Sequence, residues 1–265
     1  MTEQPRRPRP DPHHGVVLRT EQVSPHLVRV VLGGAGLDRF AAGEYTDHYV
    51  KLLFDSGQER PLVRTYTVRR WDAERRELAI DFVVHGDEGV AGPWAANAQP
   101  GDEILFNGPG GGYAPDPAAD WHLLAGDESA LPAIAAALEA LPAGATATAF
   151  IEVPDAADQQ PIESAAEVDV VWLHREDRKV GALLVDQVKA AAFPPGRGQF
   201  FVHGEATFVK ELRAHLRIDR GIDRTQQSIS GYWRVGLNED GWQSSKRDWN
   251  AAAEQEEAKA LGQQS

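Results

Sequence analysis

The sequence predicts a β-barrel followed by a parallel-sheet α/β domain, and three observations predict it. Closely spaced strand-like runs with Gly/Pro turns fill residues 15–113. From residue 121 onward, apolar strands alternate with helical runs, the mark of a parallel sheet. Between them lies APDPAAD (114–120), a linker by composition. The expected class is β + α/β: an N-terminal antiparallel Greek-key barrel, a parallel-sheet nucleotide-binding domain and a C-terminal helical appendage. The expected boundaries are 1–14 for a flexible N-terminus, 15–115 for the barrel, 119–243 for the α/β domain and 244–265 for the helix or tail.

Each element has a local reason. Residues 15–32, GVVLRTEQVSPHLVRVVL, alternate apolar and polar around Ser24-Pro25 and read as a hairpin. HYVKLLF (48–54), LVRTYTVRR (62–70), LAIDFVV (78–84) and EILF (103–106) follow as strands. In the second half, WHLLAG (121–126), TATAFIEV (146–153), DVVWLH (169–174) and QFFVHG (199–204) are strands of buried type, the last ending the sheet. Helices are expected at 129–142, with Leu131, Ile134, Leu138 and Leu141 on one stripe, and at 180–193 and 205–218. The end, SSKRDWNAAAEQEEAKALGQQS, reads as a charged, Ala-rich helix, with Ser245 and Asp248 at capping-box spacing.

Composition narrows the function classes. The 265 residues are 42% hydrophobic, enough for a buried core. No apolar run approaches the roughly 20 residues that span a bilayer, and MTEQPRRPRPDPHH lacks the apolar centre of a signal peptide. A cytoplasmic protein without membrane insertion is expected. The net charge of −13 argues against nucleic-acid binding. With no cysteine, the chain has no disulfide, no thiolate zinc site and no Cys-ligated iron–sulfur cluster of its own. No metal site is expected; His85 has no second ligand at suitable spacing.

Three clusters in the first half carry chemistry. In Arg64-Thr65-Tyr66-Thr67, the arginine suits a phosphate, the tyrosine a flat ring and the second threonine a ring edge. A half-exposed strand with a surface arginine fits the same residues. In Asp81-Phe82-Val83-Val84-His85-Gly86, followed by Gly89-Val90-Ala91-Gly92-Pro93-Trp94-Ala95, a strand runs into a small-residue loop and a short helix. That arrangement admits an anion, and it is also an ordinary glycine-containing loop. Gly108-Pro109-Gly110-Gly111-Gly112-Tyr113 allows close backbone approach, or is a hinge.

Together RTYT, DFVVHG, GVAGPWA, QPGD and GPGGGY resemble the FAD-binding half of the siderophore-interacting protein family. SPHLVRVVL, YVKLLF, AGDESALPAI, HGEA (203–206) and GYWRVG (231–236) continue the resemblance in order, from about residue 15 to 242. It implies a ferredoxin-reductase-like flavoprotein with FAD in the barrel and NADH or NADPH in the α/β domain. By that resemblance Arg64 meets the pyrophosphate, Tyr66 stacks on the isoalloxazine and Thr67 lies at its N5 edge. Thr65 and Phe82 complete the set, Asp81, Val83 and His85 line the flavin, and Ala91, Gly92 and Trp94 cradle the phosphates. Family members commonly read Gly-Pro-Ala-Ser or -Thr where this chain has Gly89-Val90-Ala91-Gly92, which keeps the backbone donor and loses a hydroxyl.

In the second half, Gly126-Asp127-Glu128-Ser129 links a strand to a helix, and Gly204 and Glu205 end another strand. These are the expected nicotinamide-binding residues, although no GxGxxG is present and an ordinary strand-to-helix turn reads the same way. The acidic segment after 146–153 leans toward NADH, while Arg175 and Arg178 keep NADPH open. The resemblance implies a ferric-siderophore reductase that passes electrons from NAD(P)H through FAD to Fe(III), with positioning residues and no catalytic triad. Lys51 and Arg234 are the expected contacts to an anionic ferric siderophore; Lys246 and Arg247 are looser candidates. Tyr232 and Trp233 either flank the flavin or fill core, and the terminal helix is expected over the nicotinamide site. Two other functions fit the same sequence: a flavin reductase for quinones or ferric chelates, and a non-catalytic siderophore-binding flavoprotein.

Overall fold

The computed structural model describes residues 11–86 and 89–263, so the expected flexible lead-in lies outside the described residues up to position 10. Six antiparallel strands close a barrel: β1 (His13–Ser24), β2 (Leu27–Gly33), β3 (Tyr49–Phe54), β4 (Leu62–Asp72), β5 (Glu77–Val83) and β6 (Glu103–Gly110). Their order around the barrel is β1-β2-β5-β4-β3-β6. Alternation decides which residues go inside: Val30, Leu32, Leu52, Leu78, Ile80 and Phe106 are all at or near zero exposure. The short helix α1 (Ala91–Asn97) plugs one mouth with Ala91 and Ala95.

Two boundaries differ from expectation. β1 starts at His13, inside the segment expected to be flexible, because His13 stacks on Phe106 at 5.3 Å. β6 runs through Pro109 to Gly110 by pairing with Tyr49, so half of the glycine-rich cluster is strand.

The second domain is a five-stranded parallel sheet in the order β11-β10-β7-β8-β9. Its strands are β7 (Trp121–Gly126), β8 (Thr146–Val153), β9 (Glu167–His174), β10 (Gly198–Glu205) and β11 (Gln227–Trp233). Central β7 and β10 are buried on both faces, which explains their unbroken apolar runs. Helix α2 (Leu131–Glu139) covers one face; α3 (Ala182–Ala190) and α4 (Ala206–Ala214) cover the other. The expected helix over 205–218 ends at Ala214 and gives way to a π turn over His215–Asp219.

β10 is not the last strand. β11 pairs with it in parallel register and forms the sheet edge. Gln227-Ser228-Ile229-Ser230 is too polar to read as a buried strand, and only pairing makes it one.

The terminal helix α5 (Glu239–Gln263) starts five residues before the expected position 244. Asn238 caps it, accepting from Gly241 N at 2.9 Å. Ser245 and Asp248 lie inside the helix, and Ser245 Oγ bonds back to the Gly241 carbonyl. Trp242 is 1% exposed and shares the space beside Gly231 with Ala206.

The two domains are tied at several points. Asp158 accepts from Ser24 Oγ (2.7 Å), His26 N (3.1 Å) and His26 Nδ1 (2.8 Å). Arg69 on β4 grips Glu139 on α2. The linker is anchored by Gln199, whose amide donates to Ala114 O and accepts from Asp116 N.

Candidate active site

The cleft between the domains lies where β4 of the barrel faces the sheet domain, with Arg69 bonded to Glu139 of α2 and Arg64 to Asp240 of α5. On β4, Arg64 and Tyr66 share one face and Thr65 and Thr67 the other. Tyr66 lies half-buried at the barrel mouth, tilted on Phe82 with centroids 4.4 Å apart. Phe82 in turn meets Trp94 at 5.6 Å, and Trp94 meets Phe54 at 5.8 Å. Burial pushes the Tyr66 phenol well above its ordinary pKa, and Glu239 adds to this. Thr67 is buried, with the half-buried Tyr232 of β11 beside it. Thr65 is exposed.

Arg64 donates to its neighbour's carbonyl, Val63 O, at 2.8 Å. It also reaches both oxygens of Asp240 on α5, at 3.3 and 3.4 Å. Those contacts exceed the roughly 2.7–2.9 Å of a strong charge-assisted pair, so the guanidinium fork is loosely held. A loosely held cation, a flat aromatic ring and a threonine hydroxyl on one strand form a donor set that fits a flavin dinucleotide. Ala91 and Gly92 start α1, whose Trp94 meets Phe82, the ring that backs Tyr66.

Several expected contacts fall elsewhere. Asp81 points to the outer face of β5, 3% exposed, and accepts both Arg29 Nε (2.6 Å) and Arg29 Nη2 (2.8 Å) from the neighbouring strand. Its carboxylate is therefore spent on the barrel wall. Val83 shares that outer face by alternation. Phe82 is 1% exposed and supports Tyr66 from the barrel interior. His85 lies beyond the end of β5 in an exposed loop.

At the sheet end, Gly126, Asp127, Glu128, Ser129, Gly204 and Glu205 come together as expected, but largely as a frame satisfied from within. Asp127 is fully buried. It accepts from Ser129 N (3.0 Å), Ser129 Oγ (2.5 Å), Glu205 N (2.8 Å) and Trp233 Nε1 (2.9 Å). Burial nonetheless pushes its pKa up to about 7, aided by Glu128. Glu205 caps α4 through Thr207 N (2.6 Å) and also accepts from Val235 N (3.2 Å). Glu128 is gripped by Arg175 at 2.8 and 2.9 Å. Gly204, at φ +137°, leaves room for Asp127 and Phe208, and a Cβ on Gly126 would strike the His203 carbonyl. His203 stacks on Phe201 at 3.8 Å, and burial pushes its pKa down to about 3, so it is a neutral packing residue.

Lys51 and Lys246 lie near each other. Lys51 is exposed on β3 opposite Thr65. Lys246 reaches Ser230 Oγ at 3.3 Å, and burial lowers its pKa with a further push from Lys51. Arg234 is exposed in the turn after β11. Glu239 and Asp240, absent from the sequence-based set, enter the cleft only because α5 starts early. Among the described residues, no three His, Cys, Asp or Glu side chains converge as a metal site.

Comparison with known proteins agrees with this architecture. The family model "Siderophore-interacting protein" matches residues 119–236, and "Siderophore-interacting FAD-binding domain" matches 16–60 and 55–113. The ferric vibriobactin reductase ViuB of Vibrio cholerae is 36% identical, covering 85% of this chain and 90% of its own. An NADPH-dependent ferric-chelate reductase of Escherichia coli is 31% identical, covering 83% and 91%. The crystal structure of a siderophore utilization protein from T. fusca superposes with a TM-score of 0.79 at 37% identity, covering 86% and 94%.

Proposed function

Because the chain belongs to the siderophore-interacting protein family, we propose that it is a flavin-dependent oxidoreductase that reduces ferric siderophores with electrons from a nicotinamide dinucleotide. One observation carries the reading. Arg64 of the barrel reaches Asp240, a few residues past the end of β11, which sets the Arg64–Tyr66 strand toward the carboxyl end of the parallel sheet, the end at which dinucleotides bind.

When bound, FAD supplies the conversion of a two-electron hydride donor into single electrons for Fe(III). The protein's part is to bind and orient. Arg64 offers two N–H groups to the pyrophosphate, which would replace its long contacts to Asp240. Tyr66 presents its ring to the isoalloxazine, backed by Phe82 and Trp94, and its raised pKa keeps it neutral. Thr65 and Thr67 lie on the strand's opposite face, Thr67 beside Tyr232. Ala91 and Gly92 give the phosphates a close backbone approach. Gly126 and Gly204 let the strand ends pack closely at the edge offered to the nicotinamide, with Asp127, Ser129 and Glu205 holding them. Lys51, Arg234 and Lys246 attract an anionic ferric siderophore. No side-chain acid or base is required. Reduction weakens the hold of hard oxygen ligands on iron, and the metal leaves.

No helix among the described residues is long and apolar enough to cross a membrane; a cytoplasmic site of action is part of the proposal.

The test is an anaerobic titration of FAD-loaded protein. NADH or NADPH should bleach the flavin, and a ferric siderophore with a ferrous trap should restore it while trapped Fe(II) appears. Bleaching with no trapped iron would move the acceptor to a quinone or another chelate. A flavin that no nicotinamide donor bleaches would leave a siderophore-binding flavoprotein.

A further inference from the structure

We propose that Glu128, Arg175 and Glu152 form a specificity triad that makes the chain prefer a nicotinamide donor with an unmodified adenosine ribose, NADH over NADPH. The inference rests on the nicotinamide-donor reading above and goes beyond it in naming the donor and the residues that choose it.

Position comes first. In a parallel α/β sheet the dinucleotide runs along the carboxyl ends of the strands. Its pyrophosphate lies near the turn after the first strand, and its adenosine ribose near the end of the second. Here the first strand is β7, followed by Gly126-Asp127-Glu128-Ser129 and α2. The second is β8, which carries Glu152 at its end; Gly126 and Ile151 are register partners. The third is β9, and Arg175 follows it directly, its N–H bonded to Val153 O at 2.9 Å. The three side chains therefore share the ribose end of the expected site.

Charge comes second. A 2′-phosphate needs a cation whose charge is not already matched. That of Arg175 is matched by carboxylates. Nη1 and Nη2 both bond Glu128, at 2.9 and 2.8 Å, and Nη1 also faces Glu152 at 3.4 Å. Arg175 and Glu128 sum to zero by themselves, so an ionised Glu152 makes the group negative and a protonated one leaves it neutral. Neither state attracts a dianion.

The surroundings reinforce this. Glu152 is fully buried, held by Gly181 N at 2.7 Å, and its Oε2 has no partner. It cannot turn away to free the arginine. Arg178 is paired with Glu176 at 3.1 Å. Lys179 is exposed, with Asp177 two residues before it. The segment after β8 adds Asp155 and Glu163. The local field at the ribose is acidic.

The test uses FAD-loaded protein and two fragments, 5′-AMP and 2′,5′-ADP, whose affinities are measured by calorimetry. Flavin bleaching by NADH and NADPH is followed in parallel. The wild-type protein should bind 5′-AMP at least as tightly as 2′,5′-ADP. In Glu128→Ala the freed Arg175 should raise the relative affinity for 2′,5′-ADP about tenfold, and Glu128→Gln should give a smaller gain. Adding Arg175→Ala to either should cancel the gain. Wild-type preference for 2′,5′-ADP, or a gain that survives Arg175→Ala, would overturn the triad while leaving the reductase reading intact. Absence of adenine-nucleotide binding together with absence of bleaching would overturn both.

Discussion

The indole of Trp233 donates to Asp127 Oδ2 at 2.9 Å, so the last residue of β11 is pinned to the first turn after β7. Because β10 lies between those strands, this bond fixes the relative height of three strand ends at the cleft. Asp127→Asn places an N–H₂ group among donors, from Glu205 N, Trp233 Nε1 and Ser129. The loss is expected at roughly 2 kcal/mol. The sign with pH follows from a folded pKa near 7 against an ordinary value near 4. Between those values the folded state holds the extra proton, so this group's contribution favours folding below that window and weakens as pH rises to about 7. Melting temperatures of the two proteins at pH 5 and pH 7.5 check this: the variant should show the smaller drop.

Arg64→Ala should raise the FAD dissociation constant roughly ten- to a hundredfold, the worth of a charge-assisted pair. Arg64→Lys should fall between, since a point charge lacks the fork. Flavin fluorescence during titration of the apoprotein gives the affinity without any turnover. An unchanged affinity would remove Arg64 from the phosphate site.

Asp158 clamps the β1–β2 turn to the sheet domain. Burial works to raise its pKa, yet the bonds from Ser24 and His26 outweigh this and hold it below the usual range. Its contribution is therefore present above the ordinary carboxylate pKa and lost as pH falls through the lowered one. Asp158→Ala should cost about 2 kcal/mol at pH 7. Thermal melts at pH 7 and below pH 4 should show the gap between variant and wild type closing with acid.

Glu257 holds α5 to the body of the molecule. Its Oε2 accepts from Arg213 (3.2 Å), Arg217 (3.0 Å) and Arg224 (3.1 Å). Glu257→Ala would leave Arg213 buried without this partner, a change that costs on the order of 3 kcal/mol or more. Trypsin should then cut faster at Lys246, Arg247 and Lys259. Burial works to raise the Glu257 pKa and the arginines more than offset it. The wild-type helix should thus loosen as pH drops below the ordinary glutamate range.

The sequence by itself determined the two-domain order, most strand and helix positions, and the strand that carries Arg64 and Tyr66. These are local properties: a two-residue alternation, a helical stripe, a turn at Ser24-Pro25. It also brought Gly126 and Gly204 to one place, because both end buried parallel strands. Tertiary structure alone decided what the polar groups do there. Asp81 turns away to Arg29, 52 positions distant. Asp127 is closed by Trp233, 106 positions distant, and Arg64 faces Asp240, 176 positions distant. β11 exists as a strand because β10 offers it a ladder, and α5 starts where Asn238 and the space beside Gly231 allow. Periodicity records which face of an element is buried; it carries no record of which distant side chain will arrive to share a proton or a charge.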